Sequence, residues 1–246
     1  TDLVTEISMT GEDGISYSDY FDAGLETVYV KEITAPEGYV INKTVYPVHV
    51  SAGQTVEIHA VDTRVKGKIT VEKQDVDTEE FLPQGDAQLA GAVYGLYART
   101  DIQNPDGTGV LYEAGSLIAQ QTFGESGEIV FENLYLGEMY IKEITAPEGY
   151  LLDETEYDVT LSYEGQETEV VVAAETVTEQ VKKQAFQIIK ISEDGEQTET
   201  DLVAGAEFTV YLIRDLSKVK DGTLKPSNGS GFTAEDFTAY DFTEED

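Results

Sequence analysis

Apolar and polar residues alternate with a period of two along most of this chain, the pattern of strands with one face in a core. Val28-Tyr-Val-Lys-Glu, Val56-Glu-Ile-His-Ala, Tyr157-Asp-Val-Thr-Leu and Thr168-Glu-Val-Val-Val all read this way. Frequent glycines mark turns between them. No stretch holds a helical period beyond one or two turns. Gln180–Gln184 is predicted to turn once and Ala234–Phe237 to begin a short helix. The pattern predicts an all-β chain of tandem immunoglobulin-like β-sandwich modules.

The pattern repeats. Residues 29–39 read YVKEITAPEGY and residues 140–150 read YIKEITAPEGY, so Glu32 recurs as Glu143, 111 residues on. ITVEKQD at 69–75, followed by LAGAVYGLY at 89–97, recurs as QIIKIS at 187–192, followed by VAGAEFTVYL at 203–212. These spacings match one sandwich of about 100 residues. They divide the chain into the back part of a module (1–66), a complete module (67–184) and the front part of another (185–246). The joints Val65-Lys66-Gly67 and Val181-Lys182-Lys183 are short, which predicts a stiff rod. With no export signal at Thr1 and no sorting signal at Asp246, the chain reads as a window on a longer protein.

Alternation also assigns faces. Lys73 follows Ile69 and Val71, and Lys190 follows Phe186 and Ile188. Glu143 follows Met139 and Ile141, Glu32 follows Val28 and Val30, and Asp62 follows Val56, Ile58 and Ala60. An amine and carboxyls thus fall on core-facing registers. Two readings stand here. Each charge sits at a strand end and snorkels to water, or the charges are buried and paired, because an isolated buried charge costs several kcal/mol.

Composition narrows the function. The 49 acidic and 15 basic residues give a net charge of −34, which repels nucleic acid and anionic membrane surfaces. The excess reads as solvated strand faces and loops. Asp101-Ile-Gln-Asn-Pro-Asp-Gly and Glu193-Asp-Gly-Glu lack the ligand spacing of a calcium loop, so neither a metal nor a cofactor is expected. No apolar run is long enough to cross a bilayer. There is no cysteine, so an exported chain needs another staple. His49 and His59 join no catalytic or metal-ligating grouping and read as strand residues, as most of the 15 tyrosines do.

The lysine strand, Leu89-Ala-Gly-Ala-Val-Tyr-Gly-Leu-Tyr, Gly127-Glu-Ile-Val-Phe-Glu-Asn-Leu-Tyr-Leu-Gly and the Lys142-Glu-Ile-Thr-Ala-Pro-Glu-Gly-Tyr box together resemble the collagen-adhesin B-type, or SpaA-like, modules of Gram-positive surface proteins, and do so over nearly the whole chain. The resemblance implies a prealbumin-like sandwich in which the opening-strand lysine bonds to an Asn or Asp of the closing strand, promoted by the glutamate of the box. Carried over, Lys73 and Lys190 are the nucleophiles, Glu143 and Glu32 the promoting acids, and Asp62 the acceptor of the first module, with its lysine expected before Thr1. For the middle module, aligning Gly53-Gln54 with Gly165-Gln166 and allowing one inserted residue puts Glu175 opposite Asp62, one methylene longer than the family's acceptors. Without a bond, Lys73 and Glu143 would stand as a buried ion pair.

Burial fits this chemistry, since it lowers an amine pKa and raises a carboxyl pKa. The expected role is a stalk or spacer of a wall-anchored extracellular adhesin or pilin-like protein, with neighbouring modules of the same chain as its partners. Its one covalent step happens once per molecule and is not enzyme turnover. The alternative is a module that grips a host protein or glycan through long loops such as 101–109 and 221–232.

Overall fold

The computed structural model of the chain describes residues 3–9, 14–21, 27–188 and 190. The chain divides into two compact units, residues 1–183 and 184–246. Among the described residues every regular element is a strand, so the all-β class read from alternation is the observed one.

In the segment before residue 66, β1 (Val28–Lys31) and β3 (Val45–Val48) pair antiparallel, as do β2 (Tyr39–Val40) and β4 (Thr63–Arg64). The strand expected at Val56–Asp62 is not formed, and Val56 and Ile58 are exposed. A strand needs a neighbour for its N–H and C=O groups, and no opening strand stands beside this stretch among the described residues.

From Lys66 the chain builds a two-layer sandwich. One sheet sets β5 (Lys66–Asp75) between β10 (Glu128–Leu134) and β13 (Val170–Glu179). The other runs β12 (Glu156–Leu161), β11 (Gly137–Thr145), β6 (Val93–Ala98), β9 (Leu117–Thr122). Their inner faces meet through Ile69, Val71, Leu96, Phe131, Ile141 and Val177 among others, all nearly or fully buried. The opening and closing strands, β5 and β13, lie side by side and parallel, in register from Lys66↔Val170 to Asp75↔Glu179. Gly67 makes the tight entry possible, since a Cβ there would overlap Leu161 Cδ1. The turn expected at Gln180–Gln184 is extended instead, with Val181 bridged to Tyr150.

The joint before β5 has no loop. Arg64 donates to the Leu134 and Asn133 carbonyls at 2.7 and 2.8 Å and to Asn133 Oδ1 at 2.9 Å, and its guanidinium lies 4.0 Å over the Tyr135 ring. Asn133 is held at φ 58°, a left-handed conformation costly for most residues though Asn tolerates it. Gln166 accepts from the N–H of Ala35 through its side chain and from that of Ile41 through its carbonyl, at 2.9 and 2.8 Å. The loop at 101–109 is organised by a small hairpin of β7 (Ile102–Gln103) and β8 (Val110–Tyr112). Its Pro105 packs on Gly38, where a Cβ would come within 3.1 Å. This loop meets the preceding segment of its own chain. Removing Arg64 should loosen the joint and not the sandwich. In Arg64→Ala, amide exchange at Val65 and Lys66 should quicken about tenfold or more, with Ile69 and Val71 unchanged, as read by hydrogen exchange.

Candidate functional site

The fold places three ionisable groups in the buried interior, two of them assigned there by alternation. Lys73 on β5, Glu143 on β11 and Glu179 on β13 are 2, 4 and 0 % exposed. Lys73 lies opposite Val177 in the parallel register, and its amine reaches the next inward position of β13, where Nζ sits 2.6 Å from Glu179 Oε1. The contact is short but poorly angled for a hydrogen bond. Lys73 Nζ, Glu143 Oε1 and Glu179 Oε2 all lack an aligned hydrogen-bond partner.

Two aromatic rings wall the amine, with Tyr94 and Phe123 centroids 5.6 and 5.3 Å from Nζ. They meet edge to face at 5.4 Å and 82°, an arrangement that holds both in place. The Tyr94 hydroxyl donates to Glu179 Oε1 at 3.1 Å. Tyr94 and Glu143 are direct partners across β6 and β11. The Asp153 N–H donates to Glu143 Oε2 at 2.7 Å and fixes that carboxyl.

Burial pulls the Lys73 amine below its usual range, against the opposing pull of Glu179 and Glu143. Burial, with a hydrogen bond to Glu179, pushes Glu143 up to about 8. Glu143 therefore carries a proton at neutral pH. The partnerless oxygens of the two carboxyls fit that state, because two carboxylates cannot hydrogen-bond without a proton between them. The site thus brings together an amine inclined to neutrality, a carboxyl at contact distance and a protonated acid. This is the set that amide formation needs.

A second buried carboxyl plays a different part. Asp75, fully buried at the end of β5, accepts from Tyr150 Oη at 2.8 Å, from Gln84 and from the N–H groups of Asp77 and Thr78. Burial raises its pKa, but these hydrogen bonds outweigh it and hold the group below the usual carboxylate range. Tyr150, the last residue of the box, is pushed up to about 12 by burial and by Asp75. The pair closes the far end of β5 over the site.

Of the residues singled out from sequence, Lys73 and Glu143 come together here. Glu175 does not face the amine. It pairs with Val71, one inward position short of Val177 and two short of Glu179, is half-buried, and turns its carboxyl to the N–H of Thr176. The alignment was counted from Gly165, at the far end of β13. Counted back from the joint, where Val65-Lys66 matches Val181-Lys182, Asp62 falls opposite Thr178, one residue short of Glu179. Alternation puts Glu179 on the inward face with Val171 and Val177, but puts Glu175 there too, so it does not choose between them.

In the first segment, Glu32 is half-buried and accepts from the N–H of Asn42, ten residues on, as Glu143 does from Asp153. Asp62 is half-buried and raises the pKa of Tyr39, behind burial and Asp106. Lys190 is exposed and lies in no strand. Its neighbours at 189 and 191–246, with the loop at 221–232 and the helix start at 234–237, lie outside the described residues.

Residues 3–64 and 67–176 match the SpaA prealbumin-like fold domain, and the chain belongs to that family. Among solved structures it is similar to the Bacillus anthracis TIE protein, at 25 % identity over 70 % of this chain and 28 % of that one, with a TM-score of 0.49. It is similar also to the major pilin subunit of Bacillus cereus, at 25 % identity over 46 % of this chain and 28 % of that one, TM-score 0.29. The group B streptococcus pilus 2b backbone protein shares 22 % identity over 61 % of this chain and 52 % of its own, TM-score 0.33. The chain thus spans little more than a quarter of the first two. No curated protein matches it.

The Glu143 shift sets a pH dependence that an unlinked variant should expose. The group holds its proton in the fold to about pH 8 but loses it near 4.5 when unfolded. Its contribution to stability is therefore full below pH 4.5 and is lost as pH rises through 8. Lys73→Met should melt progressively lower across that window, followed by circular dichroism. Adding Glu143→Gln, which cannot ionise, should lessen that slope.

Proposed function

We propose that this chain is a stretch of structural stalk from an extracellular, wall-anchored surface protein of a Gram-positive bacterium, an adhesin or pilin-like protein. Its middle module is tied by an amide between Lys73 and Glu179. One observation carries this reading: the amine of the opening strand touches a carboxyl of the closing strand in a buried site, beside a second carboxyl that burial holds toward its protonated form.

The bond balances without a co-reactant. A proton passes from Lys73 Nζ to Glu179, discharging both groups in the low-dielectric core. The Nζ lone pair then adds to Glu179 Cδ. Glu143 gives its proton to the departing Oε2 hydroxyl, which leaves as water, and takes one from Nζ. The products are the amide, one water and Glu143 as it began. This happens once per molecule.

Topology supports a load-bearing role. The chain enters at the start of β5 and leaves at the end of β13, so tension pulls these two parallel strands past one another. A Lys73–Glu179 bond passes the load from β5 to the exit and spares the rest of the sandwich. It closes a loop of about 100 residues, worth roughly 4–5 kcal/mol in the chain-entropy model. This is the staple that a cysteine-free exported chain lacks.

The rival reading, recognition of a host protein or glycan, has less support in loop 101–109, whose tip is taken up by Gly38 of the preceding segment. Intact mass tests the tie. The folded chain should weigh one water less than its sequence, and Lys73→Ala, Glu179→Ala and Glu143→Ala should each restore the full mass. A folded protein of full mass would leave the pair as an ion pair and remove the bond.

A further inference from the structure

The site holds one polar group that the two carboxyls and the amine leave unassigned. Tyr94 is fully buried, and its hydroxyl points at Glu179 Oε1 and not at Oε2. The two oxygens have different fates if the bond forms. Oε2 is without an aligned partner, as is Glu143 Oε1, so Oε2 is the oxygen that Glu143 can help to leave. Oε1 stays on the carbon and becomes the amide carbonyl. As Nζ adds to Cδ, negative charge gathers on Oε1.

We infer that Tyr94 is a further catalytic residue of the Lys73–Glu179 bond, its hydroxyl holding Oε1 and stabilising the charge that develops there. A donor aimed in advance at a developing oxyanion, in a site without water, is worth far more than the same hydrogen bond in solvent. The hydroxyl stays protonated for the task, because burial raises its pKa. Its position is fixed twice, by the direct pairing of Tyr94 with Glu143 across the sheet and by the edge-to-face contact with Phe123.

The repeat supplies an independent indication. LAGAVYGLY and VAGAEFTVYL align Tyr94 with Phe208. A phenyl ring therefore satisfies this position in the motif, and the hydroxyl is a feature of the middle module, whose acceptor is a glutamate. The same comparison says that Tyr94→Phe should fold.

The inference rests on the amide proposed above, and the test separates the two. The full chain is made by cell-free synthesis, quenched in denaturant at set times, and the loss of water followed by mass. Lys73→Ala sets the zero, and Tyr97→Phe, on the same strand and stacked on Tyr140, controls for losing a tyrosine hydroxyl. Tyr94→Phe should form the bond on the order of 10²-fold more slowly than wild type, with Tyr97→Phe at the wild-type rate. In the Lys73→Ala background, where no bond can form, Tyr94→Phe should leave the melting temperature near that of its parent. Bond formation in Tyr94→Phe at the wild-type rate overturns the assignment. So does a slowing matched by a large loss of stability in the unlinked background, which makes the hydroxyl a packing group. If wild type itself never loses water, the bond falls and the role of Tyr94 falls with it.

Discussion

A lysine amine enclosed without water between two carboxyls is the interaction on which this module turns. Placing three ionisable groups in a sandwich core is expensive, since each would cost several kcal/mol if left charged and alone. The surroundings meet that cost by sharing protons. Glu143 stays protonated, Lys73 is pulled toward neutrality, and Glu179 lies against the amine. Much of the rest of the module serves to hold these groups in place. The Asp153 N–H fixes one carboxyl and Tyr94 the other, while Phe123 and Tyr94 wall the amine from solvent. The knot at Asp75, Tyr150 and Gln84 closes the end of β5 beyond them.

That arrangement gives mechanical meaning to the topology. The parallel pairing of β5 with β13 sets the first and last strands side by side, so any tie between them lies on the shortest path for force. Hydrogen bonds along a parallel ladder share a shear load, but a covalent link carries it alone. The joint with the preceding segment follows the same economy. Arg64 fastens its carbonyl acceptors with charged hydrogen bonds, and Gln166 captures two backbone amides of the Ala35–Ile41 turn. The loop at 101–109, which by length and turn content is a candidate for recognition, packs its Pro105 against Gly38.

Family membership and the site's geometry meet at one departure. The SpaA-like resemblance implies an Asn or Asp acceptor, and this module presents a glutamate. Because the glutamate stands one inward position beyond the residue opposite Lys73, its longer side chain can still bring a carboxyl to the amine. The tyrosine that holds that carboxyl belongs to the same module, and the aligned position in the following repeat is a phenylalanine.

What the sequence settled by itself was parity and recurrence. Alternation placed Ile69, Val71 and Lys73 on one face, and Met139, Ile141 and Glu143 on another, because side chains in any strand must point to opposite sides in turn. The 111-residue repeat of the glutamate box showed that the placement was no accident of one strand. Parity does not say how far along a strand a partner lies, nor which strand faces which. That distance was fixed by the register of β13 on β5 and by the packing of the second sheet above them. These chose Glu179 over Glu175 and brought Tyr94 to Oε1. Register depends on backbone partners far apart in the chain, so only the folded structure could decide it.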